Sequence, residues 1–200
     1  MPKLDDHVFV PAFSPALAAR ASELLDRPGV LDAEELEQLV RRIGARPDLW
    51  RPLVVVDRER RRYELLYDDD RIDVWVLSWM PGQRTGFHDH DLSSVGVVCV
   101  QGELEEGALA IGCAAERRHL TPGSSRRGPG GYVHAVAHLA GEPAVSIHAY
   151  SPPLHRVGQY RVDEGGRLRR EVEHGRRELQ DRTIGVNAAR VSASAVPAAT

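Results

Sequence analysis

An all-β barrel of the jelly-roll type, with α-helices at its N-terminal end, is the fold class that this chain of 200 residues predicts. Two observations point to the barrel. From about residue 53 onward, runs of strand length rich in β-branched and aromatic residues recur, and the gaps between them carry turn chemistry. One observation points to the helices: apolar residues at three- and four-residue spacing fall within residues 14–43.

Taken in order, Ser14-Pro15 can cap and start a helix that carries Leu17, Ala18, Ala21 and Leu24. Asp26-Arg-Pro-Gly29 separates it from a second helix, which begins near Asp32 and carries Leu36, Leu39, Val40 and Ile43. Residues 1–50 are therefore expected to be a helical segment packed on a barrel formed by residues 51–175. Strands are expected at Leu53–Val56, Arg62–Tyr67, Ile72–Trp79, Val95–Gln101, Glu103–Ile111, Tyr132–Ala137 and Ala144–Tyr150. Asp68-Asp-Asp70, Pro81-Gly82, Gln101-Gly102, Thr121-Pro-Gly123, Pro129-Gly-Gly131 and Gly141-Glu-Pro143 supply the turns. Gly158–Asp163 and Leu168–Val172 read as a further pair joined by Glu164-Gly-Gly166. The run Arg58-Glu-Arg-Arg-Arg62 reads as a solvated loop entering a strand, and residues 182–200, without periodicity, as a flexible tail.

A hydrophobic fraction of 42% is enough for a core in one domain of this length. The net charge of −3 gives no reason to expect nucleic acid or an anionic membrane as partner. The N-terminus lacks a basic region followed by an apolar one, and no stretch approaches the roughly 20 apolar residues of a bilayer span, so the protein is expected to be cytoplasmic. Cys99 and Cys113 lack disulfide or CxxC spacing, and Cys99 reads as a buried thiol on a strand. Composition leaves the oligomeric state open.

The stretch Gly82-Gln-Arg-Thr-Gly-Phe-His88-Asp-His90 directly follows the strand-like Val74–Trp79. Residues i and i+2 of extended chain project to one face, so His88 and His90 can reach one metal ion. Together with Gly102 the stretch fits the first cupin motif, G-x5-H-x-H. Gly123, Pro129, Gly131 and His134 fit the second, with His138 where a final Asn would stand. Both motifs converge on His88, His90 and His134. The acidic ligand of the first motif would fall near Ser94 or Val95, and neither is a carboxylate, leaving three imidazoles that suit Fe(II), Zn, Ni or Cu.

With these motifs in view, the chain resembles the thiol dioxygenases of the cysteine dioxygenase family, especially their bacterial members. Trp79-Met-Pro-Gly-Gln83, His88-Asp-His90, Gly131-Tyr-Val-His134 and Ser146-Ile-His-Ala-Tyr-Ser-Pro-Pro153 carry the resemblance. It implies Fe(II) held by His88, His90 and His134, with Ser146, His148 and Tyr150 as a hydrogen-bonded row beside a small thiol and O2. The implied reaction adds both oxygen atoms to the thiol and gives a sulfinic acid. Positions i, i+2 and i+4 of one strand share a face, which allows such a row.

Two positions depart from the family pattern. The cysteine that crosslinks to the tyrosine in mammalian members falls at Val95 or Gly96, so no Cys–Tyr crosslink is expected. The family's carboxylate-binding Tyr-x-Arg segment reads Tyr63-Glu64-Leu65, and leucine cannot form a bidentate pair with a carboxylate, which counts against free cysteine. Three residues are expected to contact substrate: Tyr63, and as candidate anchors Arg62 beside it and Arg84, four residues before His88. Two other readings fit the same residues: a lyase or isomerase using a divalent metal as Lewis acid, which would act without O2, and a binding module without turnover. His138 and His155 take no role from the sequence, nor do His7, His119 and His174.

Overall fold

Side chains at two helix starts give the N-terminal end its shape. In the computed structural model, which describes residues 14–25, 28–109 and 115–174, α1 (Pro15–Ser22) begins at Ser14, whose Oγ accepts from the Leu17 N–H. Helix α2 (Ala33–Gly44) begins at a reciprocal cap: Asp32 accepts from the N–H groups of Glu34 and Glu35, and the Glu35 carboxylate accepts from the Asp32 N–H. Its apolar face of Leu36, Leu39, Val40 and Ile43 is buried.

The strand expected at Leu53–Val56 is absent. Pro47 and Pro52 instead start two short helical turns, α3 (Pro47–Trp50) and a 3₁₀ turn at Arg51–Leu53, because proline presets φ for a first helical position. Val55 and Val56 follow at the surface with no strand partner.

The remaining expected strands form, and three more join them. They are β1 (Arg62–Asp68), β2 (Asp73–Trp79), β3 (His88–Asp89), β4 (Ser94–Gln101), β5 (Leu104–Leu109), β6 (Glu116–Leu120), β7 (Ser125–Gly128), β8 (Val133–Ala137), β9 (Ala144–Ser151), β10 (Arg156–Val162) and β11 (Leu168–His174). One sheet has the order β1-β2-β9-β4-β7 and the other β11-β10-β3-β8-β5-β6, with antiparallel neighbours throughout. The fold is the all-β barrel with N-terminal helices that the sequence predicts. Strands β3, β6 and β7 lack a sequence signal. The first has two residues, and the other two, Glu-Arg-Arg-His-Leu and Ser-Arg-Arg-Gly, are polar strands at sheet edges, where backbone pairing rather than side-chain burial holds the chain.

Every residue of β2 and β9 is buried, since each strand serves two cores. Val74, Val76, Val145, Ile147 and Ala149 pack under α2 with Leu36 and Leu39. Trp75, Leu77, Trp79 and Tyr150 face the barrel interior with Val95, Val97 and Leu104. Cys99 lies in this interior cluster, and burial first of all pushes its thiol up to about 11, as expected of an inert strand cysteine. Cys113, the end of the strand expected to reach Ile111 and the expected tail at 182–200 lie outside the described residues. No helix among the described residues is long and apolar enough to cross a membrane.

Helix α2 lies close on β4 at Gly96, where a Cβ would stand 2.5 Å from the Leu36 carbonyl carbon. Backbone cannot yield as a side-chain tip can, so Gly96→Ala should destabilise the protein by about 1–3 kcal/mol. A thermal melt with an unchanged midpoint would show that the helix can lift off the sheet without cost.

Candidate metal centre

Cross-strand pairing of His88 on β3 with His134 on β8, and the return of His90 to the His88 face, bring three imidazoles together inside the barrel. Their ring centroids are 4.7–5.1 Å apart, and one nitrogen from each lies within 4.8 Å of the others. All three are buried.

Hydrogen bonds decide which nitrogens face inward. The His88 Nδ1 lies 2.9 Å from the Gly86 carbonyl oxygen, which can only accept, so Nδ1 carries the proton and Nε2 the lone pair. His134 Nδ1 donates to Glu106 Oε1 at 3.0 Å in the same way. The Nε2 of His134 is then a buried nitrogen with no hydrogen-bond partner among the described residues. Such an atom is costly unless something coordinates it, and a metal ion meets that need. Burial, then the nearness of His134, lowers His88 to about 3; burial, then the neighbouring imidazoles, takes His90 well below its ordinary range. Both rings are neutral near pH 7, the form that binds metal. The donor set fits a divalent transition metal.

The anion that the sequence lacks at Ser94 and Val95 is present one hydrogen bond away from the ligands. Glu106 on β5 is buried, accepts from His134 and Tyr132, and sits 3.6 Å from the Arg126 guanidinium. The alternation of buried Leu104 and Glu106 was its sequence signal, a carboxylate on the core-facing side of a strand. Asp89, between the two β3-side histidines, faces the other way. It accepts two bonds of 2.7 Å from Arg170 and one from the Tyr160 hydroxyl, tying β3 to β10 and β11. Burial alone would raise its carboxyl, but Arg170, Tyr160 and the Asp91 N–H bring it down to about 2.

Ser146, His148 and Tyr150 occupy alternate positions of β9 on the interior face. Ser146 Oγ is 3.0 Å from His148 Nε2, and His148 Nδ1 is 3.2 Å from the Tyr150 hydroxyl. Trp79 Nε1 donates to Ser146 Oγ at 2.9 Å. The Tyr150 ring stands 4.8 Å from that of His90, joining the row to the imidazole cluster.

Of the three residues expected to contact substrate, Tyr63 is on the interior face, edge-on to Trp75 with centroids 5.8 Å apart. The two arginines are placed elsewhere. Arg62 projects to the opposite side of β1, where it lies 3.3 Å from Glu64, and Arg84 is exposed where the chain bridges to Ala137. The arginine run is not uniformly solvated either: Arg58 and Arg60 are exposed, but Arg61 is only 4% exposed and stacks on Trp79. Strand alternation carries Arg61, Tyr63 and Leu65 to one face. His138 is buried with Nδ1 donating to the Glu103 carbonyl, and His155 is exposed.

The family profile described as Cysteine dioxygenase type I matches residues 8–163. The chain belongs to the cysteine dioxygenase type I family. Among curated members, Cysteine dioxygenase type 1 of Danio rerio is 27% identical over 139 residues, covering 62% of this chain and 67% of that protein. The Homo sapiens protein of the same name is 25% identical over 134 residues, with the same coverage. Similar solved structures include TT1209 from Thermus thermophilus, at TM-score 0.47 and 21% identity over 52% of this chain and 93% of that one. A cupin superfamily protein from Desulfitobacterium hafniense has TM-score 0.44 and 15% identity over 50% of this chain and 84% of its own.

Two outcomes follow for this family member. Glu106→Gln should weaken metal binding roughly 10- to 100-fold in a titration against a chelator, since the carboxylate makes His134 a better ligand; unchanged affinity would leave Glu106 a packing residue. The unfolded chain protonates His88 near its ordinary value of 6.5, whereas the fold holds it neutral down to about 3. The unfolded state therefore binds more protons between those values, and the stability of the metal-free protein should fall as pH drops through them. Thermal melts that stay level across that window would contradict a buried, neutral His88.

Proposed function

We propose that this family member is an Fe(II)-dependent thiol dioxygenase, which joins one O2 to one small thiol so that R–SH becomes the sulfinic acid R–SO2H. The observation that carries this reading is the convergence of three buried imidazoles, each turning one nitrogen to a common centre, beside the Ser146-His148-Tyr150 row. His88, His90 and His134 would hold the metal, which when bound supplies the redox chemistry with O2 that no side chain offers.

The chain's own residues do the rest. The three ligands are uncharged, so they leave the positive charge of the centre to favour a substrate thiolate over a neutral thiol. Trp75, Leu77, Val95, Val97 and Leu154 make the surrounding interior apolar and exclude bulk water. Trp79 can only donate, and its N–H fills an acceptor site of Ser146, whose hydroxyl proton is then available to His148 Nε2. His148 Nδ1–H in turn donates to the Tyr150 oxygen and leaves the phenol proton to a reacting group. Burial, followed by the charges around it, holds His148 well below its ordinary range, so the ring orients the phenol as a neutral relay.

The test is oxygen uptake by anaerobically Fe(II)-loaded protein across a panel of small thiols, with mass spectrometry of products made from labelled O2. A sulfinate with both labelled oxygens is the expected product; bound iron without thiol-dependent uptake would end the reading and turn attention to redox-neutral chemistry. Tyr150→Phe should retain iron and slow turnover by roughly 10²-fold or uncouple it from O2 use. Wild-type kinetics in that variant would remove the tyrosine from the mechanism.

A further inference from the structure

Strand β3 has only two residues, and it pairs with β8 at His88 and His134 alone. Its other neighbour is β10, where Gly158 pairs with Asp89 and Gln159 with His88. Beyond β10 lies the edge strand β11, whose Val172 pairs with Gly158 and whose Arg170 pairs with Tyr160. Strand alternation puts Asp89, Gly158, Tyr160 and Arg170 on the outer face of this sheet, opposite to His88. From there the Arg170 side chain crosses β10 and donates to the Asp89 carboxylate through Nε and Nη2, both at 2.7 Å. It can cross because residue 158 has no side chain: a Cβ there would lie 2.6 Å from the guanidinium carbon. The same guanidinium donates to Asp91 Oδ1 at 3.3 Å, and Arg156 of β10 lies 2.9 Å from Asp91 Oδ2. Asp91 has a left-handed φ of 55°, and its N–H donates to Asp89 Oδ1. Its carbonyl accepts from the Gly131 N–H, three residues before His134.

We propose that Arg170 is a positioning residue of the metal centre: lying in the gap at Gly158, it locks Asp89 and Asp91 and so sets the directions from which His88 and His90 meet the ion. The inference rests on the reading of the three imidazoles as a metal site and not on the thiol chemistry. Asp89 stands between the two ligands in the chain, so a bidentate bond that fixes its carboxylate also fixes the peptide units on either side. With the Tyr160 hydroxyl donating to the same carboxylate from β10, the two-residue strand is held against rotation about its own axis. A planar pair of donors resists that rotation, which a point charge does not. The third ligand joins through the hydrogen bond from Gly131 to Asp91. One clasp on the outside of the sheet thus registers the three rings inside it, in the way that groups behind metal ligands orient them and tune their affinity.

Co(II) is the probe, because its visible absorption reports ligand geometry as well as occupancy and no turnover is needed. The full-length protein would be titrated against a chelator as wild type, Arg170→Ala, Arg170→Lys, Gly158→Ala and the Gly158→Ala, Arg170→Ala double variant. Arg169→Ala, which removes an ion pair to Asp163 at the surface, is the stability control. Arg170→Ala should bind Co(II) roughly 10-fold more weakly and shift the absorption bands at saturation. Arg170→Lys should recover part of the loss by returning the charge without the planar fork. Gly158→Ala should reproduce the loss with both charged partners still present, since the added methyl meets the tip of a flexible side chain and not backbone. In the double variant it should add no more than about twofold, because the clasp is already gone. Unchanged affinity and bands in Arg170→Ala, or losses in Arg170→Ala and Gly158→Ala that add in full, would overturn the proposal and leave the metal centre standing. A loss that Arg169→Ala shares would overturn it as well, as general destabilisation. A wild type that takes up no Co(II) would sink the metal centre itself and this proposal with it.

Discussion

The two-residue period of β9 divides the molecule into a structural side and a chemical side. Val145, Ile147 and Ala149 point toward α2 and the N-terminal core, and Ser146, His148 and Tyr150 point into the barrel. Because β9 is the middle strand of its sheet, neither face meets solvent, and a slip of one residue would bury the polar row under the helix. The helix is therefore part of what aims the site. Its close seat over Gly96 covers the outer face of the sheet and holds the register in which the row faces inward.

Burial sets the chemistry as well as the register. Removing His88, His90 and His148 from water disfavours their charged forms, so near pH 7 each ring keeps one N–H and one nitrogen lone pair. The charges that the interior does contain have particular places. Glu106 lies behind His134, where it orients the ring without occupying the space between the ligands. Asp89 lies outside the cluster, bound by Arg170 and Tyr160, and anchors the two-residue strand that carries His88. Arg61 stands at the far end of the row on Trp79.

Short-range patterns were legible wherever one local geometry decides the outcome. The spacing of His88 and His90 places them on one face, and the Ser146, His148 and Tyr150 spacing does the same, because extended chain alternates whatever the fold around it. Ser14 and Asp32 start helices because capping is settled within four residues. The valines after Pro52 misled for the complementary reason: β-branched residues favour a strand only where a partner edge exists, and here none is presented to them.

By itself, then, the sequence determined the barrel class, the two capped helices and the sets of side chains able to share a face, all of which depend on residues near one another in the chain. Only the tertiary structure decided which sets meet. Strand order brought β3 beside β8 and so His88 beside His134, carried Glu106 behind that ring, and separated the fates of three consecutive arginines by sending Arg61 inward, Arg62 to Glu64 and Arg60 to solvent. Those meetings depend on pairing between residues far apart in the chain, and the free energy of such contacts exists only once the sheet that makes them has closed.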